Sequence, residues 1–156
     1  MTAAIGPTER TTPHGDPLAS IGPPCQRARV HVQLASALAP VFADVTATGA
    51  PVPRVVDDGW SADPGSATAM LWSGDGSHGA GVSVPLDRPR PEQVCHVAAM
   101  AQDWVIDELC GTTATNWPRC PHHPTTHPLQ AVVRDGAARW SCPRDGTPVA
   151  VVGTLR

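Results

Sequence analysis

The stretch Trp117-Pro118-Arg119-Cys120-Pro121-His122-His123-Pro124-Thr125-Thr126-His127-Pro128-Leu129, answered by Trp140-Ser141-Cys142-Pro143-Arg144-Asp145-Gly146, decides how this chain is read. Cys120 and His123 stand two residues apart, and Pro121 between them fixes the backbone of a tight turn, so both side chains can reach one point. Cys142 opens a second turn on the same plan. Between the two turns, 129–133 and 137–140 flank Asp135-Gly136, a strong tight-turn signal that predicts a β-hairpin. The segment 149–155 can add a third strand. A hairpin brings its two outer ends together, so it carries both turns to the same place.

Sulfur and imidazole nitrogen gathered from two turns are the ligands a tetrahedral zinc ion takes. Cys120, His123 and Cys142 supply three of them. The fourth position has two candidates. His127 offers an imidazole just beyond His123, and Asp145 offers a carboxylate oxygen from the second turn. Imidazole suits a closed zinc site better than a lone carboxylate, so His127 is the expected ligand and Asp145 the alternative. His122 falls on the other side of the turn and is spare. A short, Pro-rich hairpin of this size is marginal alone, and a metal would supply the missing stability.

Residues 117–155 resemble a zinc ribbon, a hairpin carrying two Cys-Pro-x-Cys-Gly-like knuckles. Here Cys-Pro-His-His and Cys-Pro-Arg-Asp-Gly stand in their places. Neither has the second Cys: His123 replaces one, and Asp145 sits where the other would be. The run from Asp103 to Leu109, with Asn116-Trp117-Pro118 and the Cys-Pro-His-His segment, is also similar to a family of uncharacterised small proteins from high-G+C bacteria. That likeness implies a fold and no activity.

Working outward, 91–110 has Val94, Val97, Ala98, Ala101, Trp104, Val105 and Leu109 at steps of three and four, one apolar face of a helix. Pro91 and Glu92 suit its first turn, and Gly111 its end. Cys95 and Cys110 read as core or boundary residues. His96 beside Cys95 is no dyad, because neighbours on a helix diverge by about 100°. The segments 68–72 and 80–85 predict two strands around a glycine-rich loop, in which His78 is an exposed loop histidine. No Lys follows that loop and no helix opens after it, so it is no phosphate cradle. A short edge strand is expected within 51–60. Residues 26–48 carry Val30, Leu34, Leu38, Val41, Phe42 and Val45 on one helical face, kinked at Pro40 and stopped by Gly49.

The fold expected is α+β: two amphipathic helices on a small antiparallel sheet, then the zinc-ribbon-like hairpin module. The division is a disordered leader over 1–25, a body over 26–111 and the module over 112–156. Eighteen Pro and 14 Gly among 156 residues agree with short elements and many turns.

Composition narrows the chemistry. All 11 basic residues are Arg and Tyr is absent, which removes a Schiff-base or phosphate-loop Lys and a Tyr acid. The formal charge of −3, with the arginines spread along the chain, argues against nucleic acid as a partner and disfavours an anionic membrane surface. No apolar run is long enough for a membrane span. Five Cys with no secretory signal suggest a cytoplasmic, metal-binding chain and not a disulfide framework. The expected function is a non-enzymatic zinc-binding adaptor or protein-interaction protein. Asp57, Asp58, Asp63 and Asp75, interleaved with Trp60 and Trp72, offer a surface for an Arg-rich protein partner; the competing reading is a solvated face over two core tryptophans. Two alternatives stand beside the adaptor. One is a zinc hydrolase with water on an open position and Asp145 as base. The other is a redox switch in which oxidation of Cys120 and Cys142 ejects the metal.

Overall fold

Leu34, Leu38, Val41 and Val45 put one side of the first helix, α1 (Val32–Ala47), entirely out of solvent. The computed structural model describes residues 30–57, 60–61, 63–110 and 116–156. The expected leader, Asp58, and the helix stop at Gly111 with the 111/112 boundary lie outside these. The helix starts later than its apolar period suggests. His31 keeps a non-helical backbone and its Nδ1 accepts the Gln33 N–H at 3.2 Å, capping the first turn.

Pro40 does not divide α1 into two helices. It cannot donate to the carbonyl of Ser36, four residues back. That carbonyl instead accepts Arg90 Nη2 at 3.1 Å, and Arg90 Nη1 donates to the Ser36 hydroxyl. At the other end, Gly49 takes φ +67°. Its N–H reaches Thr46 O at 3.1 Å, and Ala50 N–H reaches Val45 O at 3.0 Å. These are the paired bonds of a Schellman stop, which explain why the helix ends at this glycine.

Three antiparallel strands follow: β1 (Arg54–Val56), β2 (Ser66–Trp72) and β3 (Gly79–Pro85), in the order β1-β2-β3. Ala67, Ala69 and Leu71 alternate inward on β2, and Val82 and Val84 on β3. The second helix, α2 (Arg90–Leu109), packs against α1 and β3. It buries Val94, Val97, Ala98, Ala101, Trp104 and Val105.

The chain closes with a second antiparallel sheet: β4 (Gln130–Arg134), β5 (Ala137–Ser141) and β6 (Pro148–Val151). Asp135 and Gly136 both take positive φ, as a two-residue hairpin turn requires. Among the described residues the architecture is therefore α+β, with two helices and two three-stranded sheets. β6 is shorter than the predicted 149–155, because Gly153 turns at φ +99° and its N–H leaves the ladder for Asp44.

One hydrophobic core runs through both sheets and both helices, from Leu34 and Val97 to Leu129 and Trp140. Two tryptophans correct the reading of the central strands. Trp60 and Trp72 are not core residues; Trp60 is 47% exposed. Their rings lie on the outward face of the first sheet, over glycines. A Cβ on Gly81 would meet Trp60 at 2.8 Å, and one on Gly79 would meet Trp72 at 2.6 Å. The Trp60 Nε1–H donates to Ala69 O at 2.8 Å, a carbonyl past the end of the short β1. His78 is half-buried and not simply exposed. Its backbone N–H is held by the Ser73 hydroxyl at 3.0 Å in the turn that Asp75 organises. Among the described residues, no helix is long and apolar enough to cross a membrane.

Candidate metal centre

The register Gln130↔Ser141 places Leu129 and Cys142 at the same end of the β4–β5 hairpin. On the first side, Leu129 N–H donates to Pro118 O at 2.7 Å, and Arg119 pairs with Pro128 in an isolated bridge. These contacts pinch the chain into a closed loop carrying Cys120, His123 and His127. A bond from Thr126 N–H to His123 O turns the backbone between the two imidazoles. On the second side, Cys142 and Thr147 close a turn through Cys142 N–H to Thr147 O at 2.9 Å. Gly146, at φ +71°, donates back to Cys142 O at 2.8 Å.

The donor atoms of Cys120, His123, His127 and Cys142 all lie within 4.8 Å of one another. Sulfur bonds of about 2.3 Å and nitrogen bonds of about 2.0–2.1 Å at tetrahedral angles give an S···N edge of about 3.6 Å. The edges found are 3.8 Å from Cys120 Sγ to His123 Nδ1, 3.5 Å from Cys142 Sγ to the same nitrogen, and 3.9 Å from Cys142 Sγ to His127 Nε2. Both cysteines are fully buried and both histidines half-buried. These four residues could hold a metal ion.

The surroundings prepare the donors. His127 Nδ1 lies 3.0 Å from Pro128 O; donating its N–H there leaves the Nε2 lone pair facing the sulfurs, the outer-shell arrangement that orients metal-binding imidazoles. Burial pushes the Cys142 thiol up, while the backbone N–H groups of Asp145 and Arg144, aimed at its sulfur, favour the thiolate. A bound cation would act in the same direction as those two donors.

Asp145 stands outside the group of four. Its Oδ1 accepts the Thr147 N–H at 2.8 Å, and that bond, with the Thr147 hydroxyl, holds its carboxyl down to about 2. The carboxylate serves the turn. His122 is exposed and also outside the group. His96 lies near Ser83, with its Nε2 at 3.4 Å from that hydroxyl, Cys95 is partly buried and Cys110 exposed; none of them joins the centre.

No protein-family model, curated protein or solved structure matches the chain. The site therefore rests on its own geometry.

Two polar residues that the sequence reading passed over hold this centre to the helices. Gln102, buried on α2, donates through Nε2 to Trp117 O at 2.8 Å and to Leu129 O at 2.6 Å, clasping both ends of the first loop. Asp44, fully buried on α1, accepts Trp140 Nε1–H at 2.7 Å and Gly153 N–H at 2.6 Å on Oδ2, and Leu155 N–H at 2.8 Å on Oδ1. Trp117 Nε1–H donates to Thr48 Oγ1 at 2.8 Å, and its ring meets Trp140 edge-on with centroids 5.7 Å apart. The indole N–H groups of both tryptophans thus donate to α1 and its C-cap, while β4 and β5 pack against α2. The signal was legible: Asp44 falls between Val41 and Val45, and Gln102 between Ala98 and Val105, each on an apolar stripe where a polar residue demands a partner.

Proposed function

We propose that Cys120, His123, His127 and Cys142 bind one zinc ion as a closed structural tetrahedron. On this reading the chain is a non-enzymatic binding or adaptor protein whose C-terminal sheet the ion keeps in shape. The observation that carries this is the convergence of two sulfurs and two imidazole nitrogens within 4.8 Å, at edges near those of a tetrahedral ion. Two thiolates with two imidazoles are a donor set that zinc favours. Four protein ligands fill the coordination sphere, so no position is left for the water a hydrolase would need. Asp145, the base such a mechanism would use, is engaged by Thr147. The two sulfurs are sealed from solvent, which weighs against a fast peroxide switch. Ligand thiols fit a reducing compartment, so we place the protein in the cytoplasm.

The adaptor's partner would be a protein segment bearing arginines. Trp60 and Trp72 present π faces on the first sheet, and Asp57, Asp63 and Asp75 follow the same strands and loops.

Elemental analysis of the purified chain should give one zinc per protein. Cobalt substitution should give the visible bands of a tetrahedral thiolate site. His127→Ala should weaken binding sharply and Asp145→Asn should leave it intact. A metal-free protein with unchanged folding, or indifference to loss of His127, would sink the reading. For the partner, capture by the wild type that Trp60→Ala abolishes is expected; equal capture by both would refute that surface.

A further inference from the structure

The formal charge of −3 hides a division. Over 116–156, Arg119, Arg134, Arg139, Arg144 and Arg156 face only two carboxylates, Asp135 and Asp145. Over 30–110 the balance is reversed, with Arg54, Arg88 and Arg90 among ten acidic residues. Among the described residues, the ion pairs are those of Arg88 with Asp87 and Glu92, so the arginines of the second sheet have no carboxylate against them.

Alternation along β5 turns Trp140 inward to Asp44 and Ser141 to the opposite face. On that outer face lies a cavity of about 310 Å³, lined among others by Gln130, Val132, Arg134, Ser141, Pro143 and Gly146. Arg134 Nη1 donates to Gly146 O at 2.8 Å, which fixes the guanidinium at the rim and leaves its other donors free. Ser141 is only 3% exposed, and its Oγ is sealed from water with no hydrogen-bond partner. A buried hydroxyl left unpaired is a net loss in folding. Here the residue lines a cavity that Arg134 also lines.

We propose that this cavity is a binding site for a small organic oxyanion, with a carboxylate or phosphate head. The head would lie between the Arg134 guanidinium and the Gln130 amide, and the Ser141 hydroxyl would join it by a rotamer change about χ1. A planar guanidinium pairs with such groups through two parallel hydrogen bonds. Val132 and Pro143 would cover the apolar part of the ligand. The volume is at the lower end of the range for ligand pockets, so the ligand is no larger than a single aromatic acid or a sugar phosphate. Of the four candidate metal ligands, Cys142 alone is among the residues that line this cavity.

The test is an NMR titration of the full, metal-loaded chain with benzoate, inorganic phosphate and neutral benzamide. Saturable millimolar shifts centred on Gln130, Ser141, Gly146 and the Arg134 side chain are expected with the anions and not with benzamide. Stronger binding of benzoate identifies a carboxylate ligand, and stronger binding of phosphate a phosphate ligand. Arg134→Gln should weaken binding about tenfold or more. Ser141→Ala breaks no existing bond, so it should weaken binding several-fold while leaving thermal stability unchanged or raised. Equal response to benzamide, shifts centred elsewhere, or full affinity in Arg134→Gln would overturn the proposal. So would a Ser141→Ala protein that binds as well as wild type.

Discussion

Replacing Asp44 by Ala should be among the most damaging single changes available in this protein. The carboxylate is fully buried and accepts three hydrogen bonds from three different places: the Trp140 indole, Gly153 and Leu155. It thereby ties α1 to the interior of the second sheet and to the end of the chain. A hydrogen bond to a charged group contributes about 1.5–3 kcal/mol, so three contribute roughly 4.5–9 kcal/mol gross. Several kcal/mol of this offset the desolvation of a carboxylate with no cation beside it. Removing the acceptor also strands the buried Trp140 N–H. A net loss of about 3–5 kcal/mol follows, a large part of a small domain's stability of roughly 5–15 kcal/mol. Asp44→Asn should lose less, about 2 kcal/mol, because the amide oxygen keeps one pair of donors while its NH₂ opposes the third. The assay is urea unfolding followed by tryptophan fluorescence, in metal-loaded protein. With a slope of about 2 kcal/mol/M, the midpoint of Asp44→Ala should fall by roughly 1.5–2.5 M. Combining it with Trp140→Phe should show coupling of about 1–2 kcal/mol, since both changes delete one shared bond. A midpoint for Asp44→Ala close to wild type, or strict additivity with Trp140→Phe, would refute the latch.

Gln102→Leu keeps the helix and its burial but leaves the carbonyls of Trp117 and Leu129 without their buried donor. It should lower stability by about 2–4 kcal/mol and metal affinity by roughly 10–100-fold, read by thermal melts and a competitive chelator assay. Stripping the metal with a chelator should lower the melting temperature and release the amide-exchange protection of 119–128 and 142–147, while the central residues of β2 and β3 stay protected. Asp75 Oδ1 accepts Ser77 N–H and the hydroxyls of Ser77 and Ser73, and these bonds, the Ser77 N–H foremost, hold its carboxyl down to about 2. Because the folded value lies below the unfolded one, its contribution is complete above about pH 4 and is lost as pH falls through about 2. Asp75→Asn should flatten that part of the acid-stability profile, and an unchanged profile would contradict the assignment.

How much of this was legible beforehand differs from element to element. Leu34, Leu38, Val41 and Val45 announce α1 by spacing alone, and Gly49 announces its end, because only a residue at ease at positive φ closes a Schellman turn there. Asp135-Gly136 likewise announces the hairpin that brings Cys142 back to Cys120. Local spacing also named Cys120, His123 and Cys142 as candidate donors. What it left open was the choice between His127 and Asp145, since both lie within reach of the same turns. In the folded chain His127 Nε2 lies 3.9 Å from Cys142 Sγ, and the Asp145 carboxylate accepts the Thr147 N–H.

By itself, then, the sequence determined the helices, the hairpin and its turn, and three of the four groups that converge, because spacing and turn chemistry depend on neighbours within a few residues. Only the tertiary structure decided which face of the first sheet carries Trp60 and Trp72, and that Asp44 and Gln102 fasten the second sheet and the loop before it to the helices. It also brought Arg134 and a buried Ser141 hydroxyl to one cavity. Those contacts join groups as far as 111 positions apart. No local propensity encodes them; they exist because a buried polar group must find its partner wherever the packed chain supplies one.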